Sequence, residues 1–352
     1  MSLARTAFVQ DDENLLRSAY AVRPFVFGTA RRPDRLLWSW TRQLAWLLRE
    51  LPRAELLLGW FADYHLVLPV ALARRFGVPT AVVLGGFDAH TLPTLRYGVY
   101  ASPWRAPMAR FVLRNASLLL PVSGALIEGE NPFALWPQRL RTGVRAHVPG
   151  LRTPFRVIPT GYDPVRWPLG PLERAASLLT VAYIGRERSV LVKGVDLFLE
   201  AARRLPRVPF YLVGLEPRYR DAFVSRWRPP ENVLLEPPRP RSELGLRYRQ
   251  CAVYAQLSRT EGLPNVLCEA MLSGCVPVGS PVGGIPELLE GVGWLVSRPD
   301  PQEIAEALSQ ALRADPENRL QARARILERY GLENRRKALL EALEALRAGS
   351  DA

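Results

Sequence analysis

The fold is decided by the stretch Glu261-Gly-Leu-Pro-Asn-Val-Leu-Cys-Glu-Ala-Met-Leu-Ser-Gly-Cys-Val-Pro277. It follows an apolar run, and Pro264 stands where a first helical residue is expected, since its missing N–H costs nothing there. The pattern predicts a helix that continues to Ser273 and stops at Gly274, before a new strand that begins at Val276. A short helix between two continuous apolar strands is typical of a parallel sheet that is covered on both faces.

The same alternation of apolar strands and amphipathic helices continues along nearly the whole chain. Strands are predicted at residues 55–58, 80–84, 118–122, 156–158, 178–184, 210–213, 233–235, 253–256, 276–278 and 293–296. A helix over residues 36–51 is expected to pack one apolar face, formed by Leu37, Trp40, Leu44, Leu47, Leu48 and Leu51. The pattern therefore predicts an α/β fold.

One segment dense in proline and glycine, residues 158–171, interrupts this pattern before a fresh strand begins. We therefore predict two Rossmann-like domains, at residues 1–163 and 164–330, whose strand ends face each other across a ligand-binding cleft. Residues 331–352 are predicted to form a helix that crosses back to the N-terminal domain. An insert at residues 131–149 is expected to be a mobile loop.

Composition excludes several classes of protein. The chain has 352 residues and a net charge of +13, and it contains 45 arginines but only two lysines, Lys193 and Lys337. Three cysteines without a Cys-x-x-Cys motif, and three histidines, disfavour a disulfide framework or a structural zinc site. The N-terminus lacks the apolar core of a secretory signal. We expect a cytoplasmic protein whose arginine content mostly reflects a compositional background.

Two carboxylates flank the start of the predicted helix in the opening stretch. Glu261 lies in the loop before it, and Glu269 lies in its second turn. Backbone N–H groups between Leu263 and Val266, together with the positive helix end, form an anion site. A phosphate there, with one carboxylate for a sugar ring and the other for a ribose diol, fits a nucleotide sugar. The equally good alternative is that Glu269 neutralises an arginine and Glu261 caps the helix.

The stretch resembles the E-x7-E signature of retaining nucleotide-sugar glycosyltransferases of the GT-B fold, family 4 (glycosyltransferase group 1). Further blocks match the family in order, at residues 181–186, 193–202, 210–214 and 279–287. Residues 122–123 and 158–163 resemble the end of the family's N-terminal domain and its hinge. The resemblance covers roughly residues 55–345, and it implies a GT-B fold and a transferred sugar.

The resemblance also implies roles for individual residues. Glu261 would contact the transferred sugar and Glu269 would hold the ribose. Lys193 and Arg186 would stabilise the leaving diphosphate, and Arg188 is the alternative to Arg186. Other donor-binding positions are expected at Gly262, Leu263, Pro264, Asn265 and Pro238. Since the chain contains no Asp-x-Asp motif, we expect no metal and no other cofactor.

On the acceptor side, Val82-Val-Leu-Gly-Gly-Phe-Asp88 resembles the family's strand that ends in His-Gly-x-Asp. Gly85 stands where a histidine is usual. The predicted acceptor-side residues are Gly85, Gly86, Asp88 and His90, where His90 either substitutes for the histidine or is an ordinary loop residue. His65, in an apolar stretch, is predicted to be a packed core histidine. The opening strand is confined to the first five residues, so we expect the true start to lie upstream.

A stretch without acidic residues extends from Asp88 to Glu128. Arg105, Arg110 and Arg114 would share one side of a helix there, either as a surface for an anionic acceptor or for membrane lipid head groups at the inner face, or as an ordinary solvated helix. Nucleic acid is not an expected partner.

The sequence thus predicts a metal-independent retaining hexosyltransferase. It would move a sugar from a UDP- or GDP-sugar to a glycan, a lipid-linked sugar or a small molecule. The alternatives are another GT-B enzyme, such as a nucleotide-sugar epimerase or a phosphorylase, and a catalytically idle nucleotide-sugar-binding subunit. Epimerases need additional acid–base residues, whereas a phosphorylase would need a cofactor lysine, and Lys337 lies in a terminal helix.

Overall fold

The computed structural model describes residues 1–28 and 33–349, with the side chain of Pro33 excepted. The described chain divides into two compact units. The first contains Met1–Gly129, Thr142–Gly161 and the segment that begins at Glu333, and the second contains Glu130–Arg141 and Tyr162–Leu332. The predicted ranges 1–163 and 331–352 include residues 29–32 and 350–352, which lie outside the described residues.

The first unit is built on a parallel sheet with the strand order β1-β2-β3. Its helices and strands up to the hairpin are α1 (Ala7–Leu16), α2 (Pro33–Glu50), β1 (Leu57–Trp60), α3 (Val67–Arg75), β2 (Thr80–Leu84), α4 (Arg105–Asn115) and β3 (Leu118–Pro121). All five residues of the central strand β2 are buried. Met1 extends this sheet, because its carbonyl accepts a hydrogen bond of 2.9 Å from the Trp60 N–H.

Two short strands, β4 (Gly129–Leu135) and β5 (Gln138–Thr142), form a two-stranded hairpin that is followed by α5 (Val144–His147). The prediction of a mobile loop over residues 131–149 is therefore wrong. Asn131 fixes the hairpin, since its Oδ1 accepts from the backbone N–H groups of Phe133 (3.0 Å) and Ala134 (2.9 Å). Its Nδ2 donates to the carbonyl of Arg259 at 2.7 Å, in agreement with the grouping of Glu130–Arg141 with the second unit.

The second unit carries a six-stranded parallel sheet with the order β11-β10-β9-β6-β7-β8. Its elements are β6 (Leu178–Ile184), α6 (Glu187–Val192), α7 (Val195–Arg204), β7 (Phe210–Leu215), α8 (Arg220–Trp227), β8 (Val233–Glu236), α9 (Arg241–Gln250), β9 (Val253–Gln256), α10 (Asn265–Leu272), β10 (Val276–Gly279), α11 (Ile285–Leu289), β11 (Trp294–Leu295), α12 (Pro301–Leu312) and α13 (Glu317–Tyr330). The central strands β9 and β10 are buried throughout. The α/β prediction is confirmed.

Nine of the ten predicted strands coincide with observed ones to within two residues at each end. The exception is the segment 156–158, which forms no strand although the Arg156 and Ile158 N–H groups donate to carbonyls of β3, each at 2.9 Å. Pro154 and Pro159 flank the segment, and a proline has no N–H to extend the ladder. Pro264 is also displaced by one position, since it is the N-cap of α10 rather than its first residue.

The helix α2 departs from the prediction in a different way. Leu47 is buried, and Leu51 just beyond the helix is buried too, but Leu37, Leu44 and Leu48 are 63%, 38% and 52% exposed. The predicted single apolar face is therefore wrong for these three leucines. The helix instead buries a neighbouring strip, where Gln43 Nε2 donates to the carbonyl of His65 at 2.8 Å. None of the helices among the described residues is long and apolar enough to cross a membrane.

The last helix, α14 (Leu332–Ala348), begins where the Leu332 N–H donates to the carbonyl of Tyr162 at 3.0 Å. Apart from that first residue it groups with the first unit, where Leu339 and Leu343 are buried. Arg335 enters the interior of that unit and forms a doubly hydrogen-bonded ion pair with Asp12 of α1, with both N···O distances at 2.6 Å. A buried ion pair thus connects two helices that lie more than 300 residues apart in the chain.

His65 is fully buried, as predicted, and its Nε2 lies 3.0 Å from the carbonyl oxygen of Trp60. Burial lowers the pKa of His65 to about 3. Since an unfolded histidine titrates near 6.5, the unfolded chain takes up a proton below that pH that the folded chain excludes. The contribution of neutral His65 to stability is therefore present above pH 6.5 and is lost as the pH falls toward 3.

We expect the free energy of unfolding of the wild type to fall more steeply between pH 6 and pH 4 than that of His65→Gln. The difference between the two slopes should approach about 1.4 kcal/mol per pH unit, because this is the free energy that corresponds to one unit of pKa shift. Urea unfolding at several pH values measures both slopes. Other titrating groups are common to both proteins and cancel in the comparison, so equal slopes would show that His65 is not the group responsible.

Candidate active site

The candidate donor site lies in the second unit, where the loop after β9 meets the loop after α6. Lys193 Nζ lies 2.6 Å from Glu261 Oε1. The side chain of Glu261 is 11% exposed and that of Lys193 is 32% exposed, so the pair is shielded but reachable from solvent. The structure therefore brings together two of the three residues that the sequence assigns to catalysis.

Glu261 is held in place by donors from its own loop and from the last residue of β9. Its Oε1 also accepts hydrogen bonds from Ser258 Oγ at 2.7 Å and from Gln256 Nε2 at 3.1 Å. Gln256 is in turn fixed by Tyr254, whose hydroxyl donates to Gln256 Oε1 at 3.1 Å. Three donors on one carboxylate oxygen fix the orientation of this side chain, which is a requirement for a preorganised site.

Arg259 and Asp196 fasten the two loops to each other. The guanidinium of Arg259 makes two parallel hydrogen bonds to the carboxylate of Asp196, at 2.8 and 2.7 Å, and its backbone N–H donates to the carbonyl of Val192 at 2.9 Å. Planar, bidentate pairs of this kind fix geometry as well as adding energy. Sequence reasoning missed both residues, although each lies within three positions of a predicted site residue.

Gly194 permits this close approach. Its φ is +65°, and a Cβ at this position would lie 1.8 Å from the carbonyl oxygen of Leu257. The backbone of the Lys193 loop therefore lies directly against the segment that leads into the Glu261 loop, and only glycine leaves the required space.

We expect Gly194→Ala to lower stability by more than the 1–3 kcal/mol, roughly, of left-handed backbone strain, because the clash involves a backbone atom. It should also weaken donor binding by displacing Lys193. The control is Gly150→Ala, where φ is +70° but no atom lies within 4 Å of the added Cβ. Thermal denaturation of both variants distinguishes backbone strain, which both share, from the steric clash, which only Gly194→Ala has. An equal loss of stability in the two variants would contradict the close packing at Gly194.

The glycine-rich loop after β10 supports the other side of Glu261. A Cβ on Gly283, whose φ is +57°, would lie 1.9 Å from the carbonyl oxygen of Glu261, and the Gly284 N–H donates to the carbonyl of Gly262 at 2.7 Å. This loop therefore supports the site by packing against the backbone of Glu261 and Gly262.

The helix α10 starts beside this loop, with Gly262, Leu263 and Pro264 buried ahead of it. Asn265 is its first residue, and the side-chain Oδ1 of Asn265 accepts a hydrogen bond of 2.7 Å from the Tyr162 hydroxyl. The first N–H groups of a helix have no partner within it and attract anions. The arrangement at Leu263–Asn265 is compatible with the predicted phosphate contact.

Glu269 is 3% exposed and points toward α9. Its Oε1 lies 3.3 Å from Arg241 Nη2, and its Oε2 accepts a hydrogen bond of 3.3 Å from the Tyr248 hydroxyl. Burial raises the pKa of Tyr248 well above its usual value, so this hydroxyl remains a donor. The alternative that Glu269 neutralises an arginine thus describes a contact that exists, and it remains open beside the predicted ribose contact.

Arg186 is exposed at the N-cap of α6, where its backbone N–H donates to Ser189 Oγ at 3.3 Å. The helix α6 occupies the six residues between Arg186 and Lys193, and the partly buried Arg188 lies within it. Pro238 is exposed in the segment after β8. Among residues 1–28 and 33–349, no three histidine, cysteine or carboxylate side chains are placed to hold a metal ion.

On the predicted acceptor side, Gly85 is coupled to Phe61. A Cβ on Gly85 would lie 2.3 Å from Cε1 of the Phe61 ring, and Phe61 has a φ of +67°, which is unusual for a bulky residue. The ring of Phe61 thus occupies the space that a histidine at position 85 would need.

Asp88 and His90 lie inside the first unit. Asp88 Oδ1 accepts from the backbone N–H groups of Gly85 (3.1 Å) and Gly86 (3.0 Å), and its Oδ2 accepts from that of Ala62 at 2.9 Å. Burial raises the pKa of Asp88 to about 6 against the opposing effect of these donors. His90 is 2% exposed, and its backbone N–H donates to the carbonyl of Gly86 at 2.9 Å. These residues build the turn after β2.

The three arginines of α4 also donate to protein groups. Arg105 is paired with the buried Asp63. Arg110 Nε donates to the carbonyl of His147 at 3.0 Å, and Arg114 Nη2 lies 3.5 Å from the carbonyl of Pro149. Contact of these side chains with lipid head groups stays a prediction, and the structure assigns them internal partners.

Comparison with known proteins gives consistent results. Residues 179–314 match the family model described as glycosyl transferases group 1. The putative colanic acid biosynthesis glycosyltransferase WcaL of Escherichia coli (strain K12) is 27% identical over 266 residues, or 69% of this chain and 57% of that protein. The phosphatidylinositol N-acetylglucosaminyltransferase gpi3 subunit of Schizosaccharomyces pombe is 27% identical over 44% of this chain and 35% of its own length. The chain thus spans about a third to a little over half the length of these relatives.

Among solved structures, sucrose-phosphate synthase from Thermosynechococcus elongatus superposes with a TM-score of 0.70 at 18% identity, over 91% of this chain and 81% of that one. Anabaena HepE in complex with UDP-glucose gives a TM-score of 0.68 at 17% identity, over 95% and 88%. These findings support a GT-B glycosyltransferase. Arg186, Lys193, Glu261 and Glu269 all lie within the matched residues 179–314.

Proposed function

We propose that this chain is a retaining, metal-independent glycosyltransferase that moves a hexose from a UDP- or GDP-sugar to a glycan, a lipid-linked sugar or a small molecule. The observation that carries the proposal is the contact between Lys193 and Glu261 at the start of α10. A cation, a carboxylate and a helix N-terminus in one place can hold a diphosphate and the sugar attached to it.

The chemistry follows from the charges. Breaking the anomeric carbon–oxygen bond leaves extra negative charge on the nucleoside diphosphate, and Lys193, Arg186 and the first amides of α10 would stabilise it. In a front-face displacement the leaving phosphate oxygen takes the proton of the acceptor hydroxyl, and the new bond forms on the same face of the sugar. No side-chain base is then required, which suits a chain with three histidines.

The relatives support the choice of substrates without fixing it. HepE has been crystallised with UDP-glucose, and the gpi3 subunit belongs by name to a phosphatidylinositol N-acetylglucosaminyltransferase. A UDP-sugar donor and a lipid-linked acceptor are therefore the first pair to test. A cytoplasmic location stays a prediction from the sequence.

The test is a panel of UDP-, GDP- and ADP-sugars in the presence of EDTA. We expect one donor to raise the melting temperature and to undergo slow hydrolysis, with the anomeric configuration kept in the released sugar, as NMR can show. Absence of binding to every donor would contradict the proposal. Hydrolysis that requires a divalent cation would contradict the metal-independent chemistry, and an inverted product would contradict retention.

Phe61 provides a reason to keep a second candidate, a catalytically idle nucleotide-sugar-binding subunit. Its ring fills the space of the usual acceptor-side histidine at position 85. For an idle subunit we expect a donor-induced rise in melting temperature without hydrolysis of any donor. The same panel distinguishes the two functions, because it measures binding and turnover separately.

A further inference from the structure

The helix α2 has an apolar surface on its solvent side. Leu37, Trp38, Leu44 and Leu48 are 63%, 69%, 38% and 52% exposed. The opposite side of the same helix packs into the first unit, where Leu47 is fully buried. The helix therefore has two apolar faces, one packed into the unit and one exposed. We call the exposed face, formed by Leu37, Trp38, Leu44 and Leu48, the outer face.

The periodicity of the helix arranges this outer face in strips. At 100° per residue, Leu37, Leu44 and Leu48 form one line along the helix. The exposed Thr41 and Asp34 come next on one side of that line, at about 40° and 60° around the helix, and Trp38 and the exposed Ala45 follow at about 80–100°.

Next to Trp38 and Ala45 comes a row of arginines spaced seven residues apart, Arg35, Arg42 and Arg49. No acidic residue occurs between Asp34 and Glu50. The outer face is thus a leucine strip that is followed around the helix by Thr41 and Asp34, then by Trp38 and then by positive charge.

The arginine row is exposed and partly fixed. The side chain of Arg49 is 81% exposed and its Nε lies 3.4 Å from Glu50 Oε1, and Arg35 is also exposed. Arg42 donates to the carbonyl of Val26 at 2.8 Å, and its guanidinium lies 5.2 Å from the centre of the Phe25 ring. This anchors the middle of the row against the body of the first unit and holds its orientation relative to the leucine strip.

We propose that the outer face of α2 binds the surface of an anionic lipid bilayer, with the helix lying in the plane of the interface. Leucine side chains would enter the boundary of the acyl chains, Trp38 would lie at the head-group level, and Arg35 and Arg49 would contact lipid phosphates. The 18 residues of α2 give a helix about 27 Å long, which offers a flat contact. The net charge of +13 also favours binding to an anionic bilayer over binding to a basic or neutral partner. The proposal is independent of the proposed glycosyl transfer.

The experiment measures co-sedimentation of the full chain with vesicles of phosphatidylcholine and phosphatidylglycerol (3:1), compared with pure phosphatidylcholine. A strongly basic protein binds anionic vesicles through its charge alone, so the apolar-face variant and its control are chosen to leave the net charge unchanged. We expect Trp38→Gln/Leu44→Gln to lower vesicle affinity at least tenfold, whereas the control Val165→Gln/Leu234→Gln binds like the wild type. The control positions are 85% and 44% exposed apolar residues of the second unit. Arg35→Gln/Arg49→Gln should lower affinity and flatten its dependence on salt.

Three results would overturn the proposal. The first is no binding of the wild type to the anionic vesicles at low salt. The second is equal binding of the wild type and Trp38→Gln/Leu44→Gln, which would assign binding to overall charge. The third is that the wild type binds no vesicles but associates with itself, and that Trp38→Gln/Leu44→Gln abolishes this association. The outer face would then bind a second copy of the chain. Thermal denaturation of each variant verifies that it is folded.

Discussion

Replacing Arg335 with leucine is expected to destabilise the first unit by about 3–5 kcal/mol, the cost of leaving one member of a buried ion pair without its partner. The side chains of Arg335 and Asp12 are each only 3% exposed. The substitution would leave the Asp12 carboxylate with a hydrogen bond from the Trp60 indole N–H, at 3.0 Å, in place of its ion pair. It would also remove two hydrogen bonds from Arg335 to the carbonyls of Ile158 (2.9 Å) and Pro159 (2.7 Å).

The neighbouring Arg336→Leu is the matched control. Arg336 pairs with Glu333 of its own helix near the surface, and exposed pairs of this type contribute little. Urea unfolding followed by circular dichroism and by tryptophan fluorescence measures the change, with separate transitions fitted for the two units. If Arg335→Leu unfolds at the same urea concentration as Arg336→Leu, the buried pair does not stabilise the attachment of α14.

Removing the cation at the proposed donor site should have the second large effect. We expect Lys193→Ala to lower kcat/KM for donor hydrolysis or transfer by about 10²–10³-fold, the usual loss when one preorganised donor to developing negative charge is removed. The reason is the position of Lys193 Nζ, 2.6 Å from Glu261 Oε1 at the start of α10. Steady-state kinetics with the donor found in the panel gives the ratio.

The chain supplies its own control for this substitution. Lys337 is the only other lysine, and it is exposed on α14 in the first unit. Lys337→Ala lowers the net charge of the protein by the same amount as Lys193→Ala and should leave kcat/KM unchanged. An equal loss in both variants would mean that overall charge, not a site at Lys193, determines the rate.

Glu269→Ala extends the same test to the predicted ribose contact. It should weaken donor binding, seen as a smaller donor-induced thermal shift, while the protein remains folded, because the partner Arg241 is 39% exposed and can be solvated. Unchanged donor affinity in both Lys193→Ala and Glu269→Ala would mean that the donor site lies elsewhere.

Local patterns predicted most of the architecture because strands and helices of an α/β fold are encoded by short-range periodicity. The continuous apolar runs at β2, β6 and β9 were predicted to the residue, and α10 was predicted from Pro264 and Gly274. The same reasoning failed at α2, since a helix with apolar residues on two sides does not reveal which side is buried. It failed at residues 131–149 because the hairpin depends on one asparagine and on a carbonyl of Arg259, far away in sequence.

The sequence by itself determined the alternation of strands and helices and the pair Glu261 and Glu269, with Lys193 ahead of it in the chain. It also showed that a glycine stands at position 85 in place of the usual histidine. These features are local in the chain, so their spacing can be read directly. Only the tertiary structure decided that Lys193 contacts Glu261, that Arg259 and Asp196 fasten their loops, and that Phe61 occupies the space beside Gly85. It also placed Arg335 on Asp12, because such contacts join residues whose separation carries no periodic signal and whose stability comes from burial after the chain has folded.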